Sequence, residues 1–171
     1  EALHRRSKYN IVRLEIARRN SSDESFREVA STQSEWLESE ILVKDKEPAL
    51  YVTEEEFIYR GEKFFRRGII AAVRLEDYES SIIFPHENVR NEWVDERVKL
   101  MEVGKFNYSP LLVLFRDDLR NTIGAILRAV SGGDPDVVYE APDLPDVKLW
   151  KILDKGTINI ITSSMKNSEI F

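Results

Sequence analysis

The chain has no cysteine, which removes thiolate zinc sites, thiol nucleophiles and redox pairs and suits a reducing compartment, so a cytoplasmic location is expected. Histidine is nearly as scarce. Only His4 and His86 are present, so a zinc site would need carboxylates to complete it, and Pro85-His86-Glu87 lacks the second histidine of an H-E-x-x-H helix. The seven glycines nowhere form G-x-G-x-x-G or G-x-x-x-x-G-K-[ST], and no serine sits in a G-x-S-x-G elbow. No apolar run nears the ~20 residues that cross a bilayer, so a soluble protein with no membrane partner is expected. Positive charge is also in deficit: 25 Lys+Arg stand against 31 Asp+Glu, a net charge of −6. A dedicated nucleic-acid module needs the opposite balance.

What is present is 171 residues, 42% apolar and 33% charged, enough for one core that buries roughly 70% of the unfolded surface. No repeat, low-complexity segment or Gly/Ser linker divides the chain, so a single domain over residues 1–171 is expected. Glu1 in place of Met, and the strand-like ending Ser168, Glu169, Ile170 and Phe171, predict a middle piece excised from a longer protein.

Residues 9–16 read Y-N-I-V-R-L-E-I, an alternation that predicts a strand with Ile11, Arg13 and Glu15 on one face. If Arg13 lies on a buried face, it needs a carboxylate or phosphate partner. Ser21 and Glu24 have capping-box spacing, and Phe26, Val29, Gln33, Trp36 and Leu37 continue at helical steps, so a helix packing on a sheet is expected to about Glu40. Residues 49–59 and 64–75 predict a long hairpin around the polar residues 60–63, with Glu54, Glu55 and Glu56 solvated near its distal part. A turn at Asp77, Ser80 and Ser81 then leads to a short buried strand over residues 82–84.

Helical spacing over residues 91–103 ends where Gly104 suits a left-handed cap. The apolar run 111–115 is short enough for a central strand, and Asp117 or Asp118 is placed to cap a helix bearing Ile123, Ile126 and Leu127, with Gly132 and Gly133 as its stop. Two strands, 137–139 and 147–153, and a last helix over 157–166 follow. The order is not a strict strand-helix alternation, so the expected class is α+β, with a mixed, largely antiparallel sheet and about four packed helices.

The chemistry-bearing candidates are few. Taken alone, His86 reads first as a surface or hydrogen-bonded histidine after a strand end, with a ligand or acid/base role as the alternative. Ser109, between Tyr108 and Pro110, reads as a turn residue. Residues 59–67 interleave Tyr59, Phe64 and Phe65 with Arg60, Lys63, Arg66 and Arg67, the composition of single-strand nucleic-acid binders. A hairpin that sends its aromatics into the core and its bases to solvent explains the same pattern.

Six segments, in order, resemble the prokaryotic family known as domain of unknown function 1015: Tyr9-Asn10-Ile11-Val12-Arg13-Leu14-Glu15, Pro48-Ala49-Leu50-Tyr51-Val52, Arg67-Gly68 with Ala71-Ala72-Val73, Pro85-His86-Glu87, Asn107-Tyr108-Ser109-Pro110 and Leu149-Trp150. The resemblance implies proteins about twice this length and ParB-like, handling phosphate or nucleotide through an Ile-Ala-Asp-Gly-His-His-Arg motif just past the position of Phe171. It implies that this piece alone has no turnover. Arg13, His86, Glu87 and Arg97 would be supporting or anion-contact residues, and no cofactor is specified. The sequence departs from the family at Lys8, where a proline is usual, and at residues 91–97, which read N-E-W-V-D-E-R in place of Gly-Pro-Lys-x-Asp-Arg. Arg97 coincides with the family arginine. The other reading is a noncatalytic interaction domain that self-associates through its sheet edges.

Overall fold

The structure is a computed structural model that describes residues 2–15, 23–84, 90–140, 145–166, 168 and 170. In chain order the elements are α1 (Ala2–Arg6), α2 (Val12–Glu15), α3 (Asp23–Glu38), β1 (Leu50–Tyr59), β2 (Glu62–Ile70), α4 (Asn91–Gly104), α5 (Asn121–Val130), β3 (Val137–Tyr139), β4 (Asp146–Ile152) and α6 (Lys155–Met165), with a 3-10 turn at Tyr78–Ser80. The protein is α+β, with α3, α4, α5 and α6 as its longer helices. The chain gathers into two compact units, Glu1–Lys44 with His86–Leu112, and Asp45–Pro85 with Val113–Phe171.

The first unit is helical. The strand expected over residues 9–16 is instead the short helix α2, because Asn10 closes a local turn before any ladder can form. Its side-chain Oδ1 accepts the Val12 N–H at 3.1 Å, and its carbonyl accepts the Arg13 N–H at 3.0 Å. Val12 and Leu14 are buried all the same. Helix α3 appears as its spacing requires, although Ser21 of the capping box lies outside the described residues. Its stripe of Phe26, Val29 and Trp36 packs against Leu14 and Leu100, so helices provide the cover for which a sheet was expected.

Gly104 is the last residue of α4, and the left-handed position falls one residue later, on Lys105 at φ 59°. The glycine serves close approach. The Gln33 amide donates from Nε2 to the Gly104 carbonyl at 2.9 Å, and a Cβ on Gly104 would lie 2.9 Å from Gln33 Oε1.

The second unit holds a four-stranded antiparallel sheet in the order β2-β1-β4-β3. The hairpin turn is Arg60-Gly61, both left-handed at φ 52° and 82°, the backbone that a two-residue primed turn demands. One sheet face starts apolar. Leu50, Val52 and Ile152, with Ile69 and Trp150, pack on Ala125 and Ile126 of α5 and Ile161 of α6. Asp117, not Asp118, caps α5: Oδ1 accepts the Thr122 N–H at 3.2 Å and Oδ2 the Ile123 N–H at 2.8 Å.

Further along β1, Glu54, Glu55 and Glu56 turn from the expected solvated run into a cross-strand ladder. Glu54 pairs with Arg67, Glu55 with Arg66 and Glu56 with Lys63. Two other expectations shrink. Residues 82–84 and 111–115 do not become strands; Ile83 and Phe115 each make a single bridge to Ile170, and Leu111, Leu112 and Leu114 are exposed. Apolar runs this short become strands only when a neighbour supplies a ladder.

Candidate functional site

The helical first unit contains a cleft of about 270 Å³ between α1, α2 and α3. Arg13, half-buried, reaches it from α2, and two main-chain carbonyls hold its guanidinium: Nη2 donates to His4 O at 2.6 Å and Nε to Ser7 O at 3.4 Å. Nη1 makes no hydrogen bond among the described residues. Because a guanidinium carries five N–H donors in a rigid fork, the two carbonyls fix its plane while leaving donors toward the cleft.

Lys8 stands beside it, with Nζ 4.6 Å from the centroid of the Tyr9 ring. Tyr9, as hydrogen-bond and electrostatic neighbour, and then the Glu35 carboxylate raise the Lys8 pKa above its ordinary value. Tyr9 in turn meets Trp36 edge-to-face at 6.0 Å, and α3 completes the lining with Glu28, Thr32 and Glu35. The arrangement offers two cations, an aromatic edge and a facing pair of carboxylates.

Arg97, the other arginine singled out by sequence, does not line this cleft. Its Nη1 donates to the Glu15 carbonyl at 3.1 Å, so it ties α4 to the end of α2. The Ser109 hydroxyl donates to the Glu15 carboxylate. Two segments that carried the family resemblance, around Glu15 and around Ser109, are therefore joined directly. Tyr108 packs beside them on the core; its hydroxyl is buried without a hydrogen-bond partner among the described residues, and burial pushes its pKa up to about 12. That hydroxyl stays protonated through the physiological range. His86 and Glu87 lie outside the described residues.

The second unit has a depression of about 340 Å³ near Asp117, Asp118 and Ser164, but Asp117 is committed to the α5 amides. On the hairpin, the aromatics do not enter the core: Phe64 and Phe65 are 40% and 45% exposed. The bases Lys63, Arg66 and Arg67 are each paired with a β1 carboxylate.

Sequence reasoning singled out Arg13 but missed Lys8, Glu28 and Glu35. A spacing of seven residues sets Glu28 and Glu35 two turns apart on one flank of α3, a signal readable in advance. Which element would face that flank was not readable. Among the described residues, no helix is long and apolar enough to cross a membrane.

A family model described as "Protein of unknown function (DUF1015)" matches residues 1–171. No curated protein and no solved structure matches the chain.

Proposed function

The chain belongs to the family described as protein of unknown function DUF1015, and on that premise we propose that its helical unit binds a small ligand bearing a phosphate or carboxylate group, held by Arg13 and Lys8. The observation that carries this reading is the set of Arg13. A guanidinium already oriented by two carbonyls pays little conformational entropy to grip an anion in bidentate fashion. Lys8 adds a second charge at the same cleft. Binding rather than turnover is the proposed role of this chain, in the cytoplasm. Arg97 acts as a positioning residue that secures the carbonyl end of α2, and His86 and Glu87 enter as supporting residues on the family resemblance alone.

The test is titration with inorganic phosphate and with ATP, with and without magnesium, followed by calorimetry. Saturable binding that weakens about tenfold in Arg13→Ala, and less in Arg13→Lys, is the expected result, since a charge-assisted pair is worth roughly 1.5–3 kcal/mol. Lys8→Ala removes a charge without touching the clamp on His4 and Ser7. An absence of saturable heat at millimolar ligand, from a protein with intact helical circular dichroism, overturns the reading.

One observation favours a second reading, self-association. The outer edge of β2 pairs with no strand among the described residues over its nine positions, and Phe64, Phe65 and Ile70 are exposed along it. Open edges of that length template further pairing. A sedimentation profile that stays monomeric as concentration rises would remove this alternative.

A further inference from the structure

The cleft of the helical unit is balanced in charge, and the balance discriminates among anions. Among the described residues, Lys8 and Arg13 on one side face Glu28 and Glu35 on the other, two basic side chains against two acidic ones. The glutamates' side-chain carboxylates make no hydrogen bond or ion pair among the described residues, although the Glu35 carboxylate acts on Lys8 through its charge. They lie on one flank of α3, with Thr32 between them.

We propose that the ligand of this cleft is a zwitterion, whose phosphate or carboxylate end meets Arg13 and Lys8 and whose ammonium end meets Glu28 and Glu35. This rests on the anion-site reading above and narrows it. A polyanion such as a nucleoside triphosphate, seated on Arg13, brings several negative charges toward two carboxylates that no cation among the described residues neutralises at contact distance. A small amino phosphate or amino acid satisfies both walls at once. The apolar edge of Tyr9 and Trp36 suits the methylenes between its charged ends. A volume of about 270 Å³ lies near the lower limit of small-molecule sites and matches the size of such a ligand.

The test compares O-phosphoethanolamine with inorganic phosphate, ATP and β-alanine, on the wild-type chain and on Glu28→Gln/Glu35→Gln. The substitution preserves side-chain shape at two exposed helix positions, and circular dichroism checks the fold. Phosphoethanolamine should bind about fivefold or more tightly than phosphate, the scale of one or two exposed charge pairs. The double variant should erase that preference while leaving phosphate affinity equal or higher. If phosphate or ATP binds as tightly as phosphoethanolamine, and the double variant lowers neither, the anion site stands and the zwitterion proposal is overturned. If no probe binds, both fall.

Discussion

Glu54 is the place where a single side chain should matter most to the sheet. It sits on the central strand β1, only 12% of its side chain is exposed, and Arg67 of β2 grips Oε2 through Nη2 at 2.6 Å and Nε at 2.7 Å. Lys148 of β4 stands 3.9 Å from its other oxygen. Two strands are thus tied to the third through one carboxylate. Next to it, Glu55 and Arg66 make the same kind of pair, but with side chains 29% and 65% exposed.

Water and salt screen the outer pair, so its coupling should be at most about 0.5 kcal/mol. The inner pair approaches the buried regime, where removing one partner leaves a desolvated charge behind at a cost of about 3–5 kcal/mol; partial exposure reduces that to about 2 kcal/mol for Glu54→Gln. A double-mutant cycle with Arg67→Met should return a coupling of about 1–2 kcal/mol. Amide hydrogen exchange along β1 is the assay, because it reads the opening free energy of this sheet independently of the helical unit. Raising salt should diminish the Glu55–Arg66 coupling and leave most of the Glu54–Arg67 coupling in place. Equal couplings for the two pairs, or less than about 0.5 kcal/mol for the inner one, would refute the argument that burial grades the ladder.

Asp117→Ala should cost about 1–2 kcal/mol by freeing the Thr122 and Ile123 amides, while Asp118→Ala stays near neutral, as denaturant unfolding of the two variants would show. Gly104→Ala gains up to ~1 kcal/mol of helix propensity but drives a Cβ against the buried Gln33 amide, so a net loss of about 1 kcal/mol is expected, and an increase in melting temperature would contradict the close-approach account. Lys151 first, and then the Tyr51 hydroxyl, hold the Asp45 pKa below its ordinary 3.8. A carboxylate depressed in the folded state stabilises above its unfolded pKa and loses that contribution as pH falls through the folded value. Asp45→Asn should therefore melt earlier than wild type at neutral pH, with the gap closing once pH drops below about 4 and toward the depressed value; a gap independent of pH would count against the pairing.

The segments legible in the sequence were those whose pattern had one physical solution. The hairpin was one, read from two extended stretches on either side of the polar residues 60–63, whereas the pairing of Glu54, Glu55 and Glu56 with Arg67, Arg66 and Lys63 replaced an expected solvated run, since a strand-to-strand register is not written in either stretch alone. The amphipathic stripe of α3, from Phe26 to Trp36, was equally plain, as were the β3 and β4 runs. Legibility failed where local and long-range preferences compete. Residues 9–16 alternate as a strand should, yet the side chain of Asn10 closes a turn within two residues, and α2 buries Val12 and Leu14 without a ladder. Leu111 to Phe115 has strand composition but gains only the bridge from Phe115 to Ile170, since composition does not supply a neighbour. For the candidate site, Arg13 stood out as a base in an apolar stretch. Its partners did not, because main-chain carbonyls of His4 and Ser7 leave no trace in residue type, and Glu28 and Glu35 acquire meaning only when α2 is laid across α3.

The most direct test of the central claim is a two-dimensional NMR titration of the chain with inorganic phosphate and then O-phosphoethanolamine, following the amides of α1 to α3, the Trp36 indole and the Arg13 side chain. Saturable shifts confined to the cleft around Arg13 and Lys8 are expected, displaced to about tenfold higher ligand in Arg13→Ala. Shifts absent from that cleft, or centred instead on the depression near Asp117 and Ser164, would contradict it.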